Sequence, residues 1–124
     1  MKYKTLTENY EFKRGYARGK SVVSPVLVTY AFKKRSGEVR IGITATKKIG
    51  NAVKRNRARR VIREAYQSFA PYIKGKYDII FVARGKTPYV KMQQIERVMK
   101  IHLAQLIPGF NDANNVRSGS LEPV

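Results

Sequence analysis

The pattern of apolar and polar residues predicts four β-strands in this chain. The first is a short strand at Lys20–Val23. Val26–Lys33 and Val39–Thr46 alternate with a period of two, the pattern of strands that bury one face. The turn-forming cluster Arg35–Glu38 separates these two segments, so we expect them to pair as a hairpin. Tyr77–Arg84 is apolar on both sides, which indicates a central strand covered on both faces.

Helical spacing of apolar residues predicts three helices around these strands. The first follows Thr7, a suitable N-cap, and extends to about Arg18. The second begins after the N-cap Asn51, extends to about Ala70 and is followed by a parallel strand. The third spans about Tyr89–Ile107. The order α-β-β-β-α-β-α indicates an α+β sandwich, with helices packed on a small sheet.

The second predicted helix has two distinct faces at about 100° per residue. One stripe is apolar and is expected to pack on the sheet: Ala58, Ile62, Ala65 and Phe69. The opposite stripe is polar and basic: Asn56, Arg60, Arg63 and Gln67. The helix is therefore expected to join the core on one side and to present cations on the other.

Composition narrows the partners of such a domain. The 124 residues carry 26 Lys and Arg against eight Asp and Glu, a net charge of +18, and this excess favours a polyanion, either nucleic acid or an anionic membrane surface. No apolar run reaches the roughly 20 residues of a membrane span. The start of the chain lacks the apolar region of a secretory signal, and the absence of cysteine fits the cytoplasm. We expect one RNA-binding domain over residues 1–109 and a disordered tail over residues 110–124.

The acidic and histidine residues do not suggest a self-contained active site. The eight carboxylates are scattered, without the paired spacing that divalent-metal nucleases use. His102 is the only histidine and lies beside the apolar stripe of the last helix, so a structural role is the simpler interpretation. No glycine pattern matches a nucleotide-binding loop. Catalytic residues and metal ligands are therefore expected to be absent from the protein itself.

The segment Lys47–Arg63 concentrates the charge, with eight basic residues in seventeen positions and no acid. A charge run is often only a solvated helix face. Here arginine dominates, and its planar guanidinium binds phosphate through two hydrogen bonds and stacks on bases. Asn56 adds a donor and acceptor for a base edge or a 2′-hydroxyl. The segment therefore predicts nucleic-acid binding.

Aromatic residues near the N-terminus favour RNA as the ligand. Phe12, Tyr16 and Tyr30 could form a stacking platform for unpaired bases, although core packing is the alternative use of such rings. The basic helix lies between strands, whereas a helix-turn-helix DNA reader needs a close pair of helices.

The central motif resembles the signature of the bacterial ribonuclease P protein subunit. Lys47–Val53 is followed by Arg55-Asn56-Arg57 and Arg60, and Phe12-x-x-x-Tyr16-x-x-Gly19 extends the similarity toward the N-terminus. The resemblance covers about residues 5–107. It implies a four-stranded sheet with three helices and a left-handed strand–helix–strand crossover, whereas strand–helix–strand units are usually right-handed.

The resemblance also implies a function. The chain would assist a catalytic RNA subunit, which holds magnesium, in removing the 5′ leader of precursor tRNA. The residues implied to dock on that RNA are Lys47, Lys48, Arg55, Asn56, Arg57, Arg60 and Arg63. The residues implied to hold the single-stranded leader are Phe12, Tyr16, Tyr30 and Arg84. The alternative is a ribosomal-type RNA-binding protein or general RNA chaperone, which shares the charge and the fold size but needs no leader cleft.

Two positions depart from the family pattern. Gly15 replaces a larger residue between the two aromatics, which predicts a looser first helix that depends on packing, since glycine costs about 1 kcal/mol in a helix relative to alanine. Thr46 stands where relatives commonly have serine, so the hydroxyl is retained.

Overall fold

A computed structural model describes residues 3–110 and shows three helices on a five-stranded sheet. The strands are β1 Lys4–Thr5, β2 Lys20–Val23, β3 Leu27–Lys33, β4 Arg40–Thr44 and β5 Tyr77–Ala83, and the helices are α1 Asn9–Arg18, α2 Ala52–Gln67 and α3 Met92–Leu106. The two-residue strand β1 was not predicted and makes the sheet five-stranded rather than four-stranded; after it, the predicted order α-β-β-β-α-β-α is confirmed.

The order of strands in the sheet is β1-β4-β5-β3-β2. The prediction that Tyr77–Arg84 contains a central strand is confirmed, because β5 bonds to a strand on each edge and all but one of its residues are buried. The predicted hairpin of β3 with β4 is wrong. β5 lies between them, antiparallel to β3 and parallel to β4. The Arg35–Glu38 segment therefore passes over the start of β5, where the Lys34 N–H donates to the Lys76 carbonyl oxygen at 2.7 Å.

The connection from β4 through α2 to β5 joins two parallel, adjacent strands, as predicted. The left-handed crossover stays a prediction from the resemblance. Helix α2 packs on β4, β5 and α3, and α3 packs on β2 and β3. The stripe that was expected to be apolar is buried: Ala58, Ile62, Ala65 and Phe69 are at most 5% exposed. The polar stripe of α2 is exposed.

Helix boundaries follow local hydrogen bonding. Asn51 is the N-cap of α2, as predicted, and its Oδ1 accepts from the Lys54 N–H at 3.0 Å. The N-cap of α1 is Glu8 rather than Thr7. The reason is that the Glu11 carboxylate reaches back and accepts from the backbone N–H of both residues, at 3.2 and 3.4 Å. Helix α2 ends at Gln67, three residues before the expected end, and a 3₁₀ turn at Ala70–Tyr72 follows.

The core continues past the predicted domain boundary. Phe110, expected to start the tail, is 2% exposed and packs edge to face on Phe69, 5.8 Å between ring centroids. The rest of the predicted tail lies outside the described residues. His102 is buried, and its Nδ1 lies 2.7 Å from Oγ1 of Thr29 on β3. Burial lowers the pKa of His102, which favours the neutral imidazole as a core hydrogen-bonding group.

Candidate RNA-binding surfaces

Helix α1 lies across the sheet face opposite α2 and α3. A Cβ on Gly42 of β4 would lie 2.5 Å from Cε1 of Phe12, and a Cβ on Gly15 would lie 2.5 Å from Cδ1 of Ile80 on β5. The helix therefore crosses β4 and β5 in turn, and it ends close to the backbone of Ala31 on β3. Gly15 is buried and allows α1 to approach β5 closely, which agrees with the predicted dependence of this helix on packing. That the helix is looser stays a prediction.

On one side of α1 the three predicted aromatic residues form a continuous group. The ring centroids of Phe12 and Tyr16 are 6.4 Å apart, and those of Tyr16 and Tyr30 are 5.1 Å apart in an edge-to-face arrangement. The Tyr16 hydroxyl lies 2.7 Å from Oγ1 of Thr44 on β4. This bond and the ring contacts hold Tyr16 in place although the residue is 38% exposed. We call this group, with the sheet surface beside Tyr30, the aromatic cleft.

The floor of the aromatic cleft is apolar and its rim is basic. Val28 and Val82 lie beside Tyr30, on β3 and β5. Arg84 lies at the end of β5, and its guanidinium donates to the Ser24 carbonyl oxygen at 3.2 Å. Lys47 and Lys48, which the resemblance assigns to the catalytic RNA, line this same cavity. The structure thus brings four predicted residues together here: Tyr30, Arg84, Lys47 and Lys48.

The turn that presents the two lysines has a defined geometry. Thr46 caps a 3₁₀ turn at Lys47–Ile49, and its Oγ1 accepts from the Lys48 N–H at 3.3 Å. Gly50 follows with φ of 137°, a region that residues with a side chain rarely adopt. The hydroxyl at Thr46 therefore has a structural use that serine could also supply.

The predicted RNA-docking residues on α2 divide into free and anchored cations. Arg60 and Arg63 are exposed, and no hydrogen bond or ion pair joins either to another residue within 3–110. In contrast, Arg55 donates to the Gly50 carbonyl oxygen at 2.8 Å, and Arg57 Nε donates to the Pro88 carbonyl oxygen at 2.7 Å. Arg55 and Arg57 therefore brace the start of α2 as well as adding charge.

Arg59 was missed by sequence reasoning. Its guanidinium donates to Oδ1 of Asn56 at 3.1 Å and to the Ala45 carbonyl oxygen at 3.3 Å. The side chain lines cavities beside Phe12 and Tyr16, so it connects the basic helix with the aromatic cleft. Its position in the helix, between the apolar and polar stripes, was the available signal. Asn56 is exposed, as expected, and its carbonyl group is used by Arg59.

The other side of α1 carries a buried ionic cluster. Asp78, at the start of β5, accepts from Lys34 at 2.9 Å, Arg14 at 3.0 Å and Arg40 at 3.2 Å. Arg40 also pairs with Glu11 of α1 at 2.5 Å. Burial alone would raise the pKa of Asp78, but hydrogen bonds from these three cations outweigh it and hold the pKa below its ordinary value. The cluster thereby ties α1 to the sheet.

No group of three or more His, Asp or Glu side chains within residues 3–110 is arranged to hold a metal ion. Glu11 and Asp78 approach the same arginine and are neutralised by cations. In the same range, no helix has the length and apolar character needed to cross a membrane.

Comparisons with family models, with protein sequences and with solved structures agree on one family. The family model described as Ribonuclease P matches residues 1–107. The ribonuclease P protein component of Clostridium novyi is 42% identical over 97 residues, which cover 77% of this chain and 86% of that protein.

Solved structures agree with this match. The RNase P protein of Staphylococcus aureus has a TM-score of 0.73 at 32% identity, covering 83% of this chain and 96% of that one. The RNase P protein of Thermotoga maritima, with a TM-score of 0.68 at 23% identity, supports the fold. The chain belongs to the family of bacterial ribonuclease P proteins.

Proposed function

We propose that the chain is the protein subunit of a ribonucleoprotein endonuclease and assists a catalytic RNA in removing the 5′ leader of precursor tRNA. The observation that carries this proposal is the pairing of two surfaces of different chemistry. One is the free basic stripe of α2, and the other is the aromatic cleft beside α1. A single RNA-binding surface would not need both.

The basic stripe of α2 is the docking surface for the catalytic RNA. Arg60 and Arg63 are exposed and unpaired within residues 3–110, so their guanidinium groups are available for phosphate. Folded RNA presents phosphates along its surface, and each phosphate that a cation of the helix neutralises releases counterions, which favours binding. Arg55 and Arg57 brace the start of the helix that carries this surface.

The aromatic cleft holds the single-stranded leader. Unpaired bases stack on aromatic rings whatever their sequence, while a basic rim follows the backbone. Tyr16 and Tyr30 supply the rings, and Arg84, Lys47 and Lys48 supply the rim. Because mature tRNA lacks the leader, the cleft favours precursor over product.

In this proposal, the RNA subunit carries out catalysis and also binds the magnesium ions. The protein contributes charge neutralisation and alignment of the leader. Both effects raise the magnesium affinity of the complex without any protein ligand to the ion. The partners are thus the catalytic RNA and precursor tRNA, and the cytoplasm, where tRNA is processed, is the expected compartment.

The alternative is a ribosomal-type RNA-binding protein or general RNA chaperone. Such a protein would use the charge of α2 but would bind RNA with and without a 5′ leader equally. The contiguous, partly exposed rings of Phe12, Tyr16 and Tyr30 favour the leader-binding proposal, since in a chaperone they would have no defined ligand.

Reconstitution tests the proposal. The purified protein is combined with a bacterial ribonuclease P RNA at a magnesium concentration too low for the RNA alone, and leader removal from precursor tRNA is measured. We expect cleavage only when both components are present. Cleavage by the protein alone would contradict the division of labour, and no stimulation of the RNA would favour the chaperone alternative.

A further inference from the structure

A second basic groove lies on the same sheet face as the aromatic cleft, on the other side of α1. Seven basic side chains and two acidic ones line it, and the buried Asp78 below them is a third acid. Four positive charges therefore remain without an acidic counterpart in the groove. The proposed function of the chain uses none of this surface.

Individual contacts show which cations are free. Asp78 binds Arg14, Lys34 and Arg40, so these side chains are committed to the fold. Arg18 and Lys33, in contrast, are exposed and form no ion pair within residues 3–110. Arg35, in the following turn, is also exposed and unpaired there. The floor of the groove is thus a fixed ionic cluster, and its edge carries free cations.

Aromatic side chains accompany these cations. Tyr10 is 63% exposed and lies in the groove. It precedes Arg14 and Arg18 at intervals of four, so the three side chains form a row on one face of α1. The guanidinium of Arg14 stacks on the ring of Phe32, 4.8 Å from its centroid. A ring beside guanidinium groups is the combination that binds unpaired nucleotides, by stacking and by phosphate contact.

We propose that this groove binds the 5′-distal nucleotides of long leaders, as a continuation of the aromatic cleft across α1. This inference rests on the proposed function. The two sites share one sheet face and one helix, whereas α2 packs against the opposite face. A helix with its side chains is about 10–12 Å across, and a stacked strand rises about 3.4 Å per nucleotide. About three or four further nucleotides would therefore carry a leader from the cleft into the groove.

The test measures how holoenzyme affinity depends on leader length. Precursor tRNAs are prepared with a leader short enough to end in the aromatic cleft and with stepwise longer ones. The reconstituted enzyme is expected to bind the longer leaders more tightly. Tyr10→Ala should remove about fivefold of this gain, the lower end of the range for loss of one stacked base. Arg18→Ala should lower the salt dependence of binding the longer leaders by about 0.7 in the logarithmic slope, one phosphate contact on a single strand.

Matched variants separate the effect from unfolding and from general charge. Tyr10→Phe keeps the ring and should retain the gain. Arg97→Ala removes an exposed arginine from α3, on the opposite face of the sheet, and should leave the length dependence unchanged. Tyr10 and Arg18 are both exposed, so their substitution should not change the unfolding temperature.

Three results would contradict the proposal. Equal length dependence in the wild-type and Tyr10→Ala enzymes would overturn it. Weaker binding by Tyr10→Ala at every leader length, together with weaker binding of the RNA subunit, would assign the groove to the catalytic RNA instead. Failure of the wild-type enzyme to remove any leader would overturn the proposed function as well, and the wild-type control identifies that case directly.

Discussion

Gly15 of α1 and Ile80 of β5 are in such close contact that a Cβ on the glycine would lie 2.5 Å from Cδ1 of the isoleucine. Both residues are buried, and Ile80 belongs to the central strand. This contact sets the distance of α1 from the sheet. It therefore determines where the helix carries Phe12 and Tyr16 relative to Tyr30.

We expect Gly15→Ala to destabilise the protein by about 1 kcal/mol. Overpacking a buried contact costs about 1–3 kcal/mol, which exceeds the roughly 1 kcal/mol that alanine gains in a helix. Ile80→Val removes Cδ1, the methyl group that a Cβ at residue 15 would meet. In denaturant unfolding, the double variant should therefore lose less free energy of unfolding than the two single variants together. Ala17→Gly, at an exposed position of α1, measures the helix term alone. A stabilising Gly15→Ala would contradict the close contact.

Asp78→Asn should destabilise the fold by about 3 kcal/mol, because removing the buried carboxylate leaves Arg14 and Lys34 without their acidic partner. The pKa of Asp78 is lowered in the folded protein. Its contribution to stability is therefore present above the unfolded pKa of about 3.9 and is lost as the pH falls through the folded value. Urea unfolding of the wild type should show the free energy of unfolding falling below about pH 5.

The pH dependence should be shallower in Asp78→Asn than in the wild type. The pKa of Glu11 is also lowered, because hydrogen bonds from the Glu8 N–H and Arg40 outweigh the opposing effect of burial. Glu11 should therefore retain part of the pH dependence of stability in the variant. Glu64→Gln, which alters an exposed carboxylate of α2, should leave the slope unchanged. Identical slopes in the wild type and Asp78→Asn would show that the cluster does not govern acid stability.

Arg60→Ala should weaken binding of the catalytic RNA without changing the fold. Arg60 is exposed and unpaired within the part of the chain that the structure describes. Loss of one phosphate contact should reduce the logarithmic salt slope by about 0.7–0.9. Binding of the RNA subunit is measured by titration at several salt concentrations, with Arg97→Ala of α3 as the control. A salt slope equal to that of the wild type would place Arg60 outside the docking surface.

The faces of the elements were predictable because they depend on local periodicity. The apolar stripe of α2 followed from residues at helical spacing, and the central position of β5 followed from its continuous apolar run. The pairing of β3 and β4 was not predictable in this way. A turn between two alternating strands favours a hairpin locally, but the more apolar β5 gains more by bonding on both edges and therefore separates them.

In the candidate sites, too, sequence predicted the residues but not their contacts in the fold. Phe12, Tyr16 and Tyr30 were chosen for their chemistry, and the structure brings them together. The contact of Tyr16 with Thr44 and the nearness of Phe12 and Tyr16 to Arg59 depend on how α1 crosses the sheet, which no local pattern reports.

The cations of α2 show this limit as well. Sequence could not distinguish Arg57, anchored on the Pro88 carbonyl, from the free Arg60. That difference arises from the loop between β5 and α3, which meets α2 only in the folded chain.

We propose that the aromatic cleft, rather than the basic helix, binds the leader of the substrate. The most direct measurement is the ratio of holoenzyme affinities for precursor and mature tRNA, in the wild type and in Tyr30→Ala, with Tyr30→Phe as the control that keeps the ring. We predict tighter binding of the precursor by the wild type and by Tyr30→Phe, and a ratio reduced about fivefold or more in Tyr30→Ala, from the loss of one stacked base. An unchanged ratio in Tyr30→Ala, or equal affinities in the wild type, would contradict the claim.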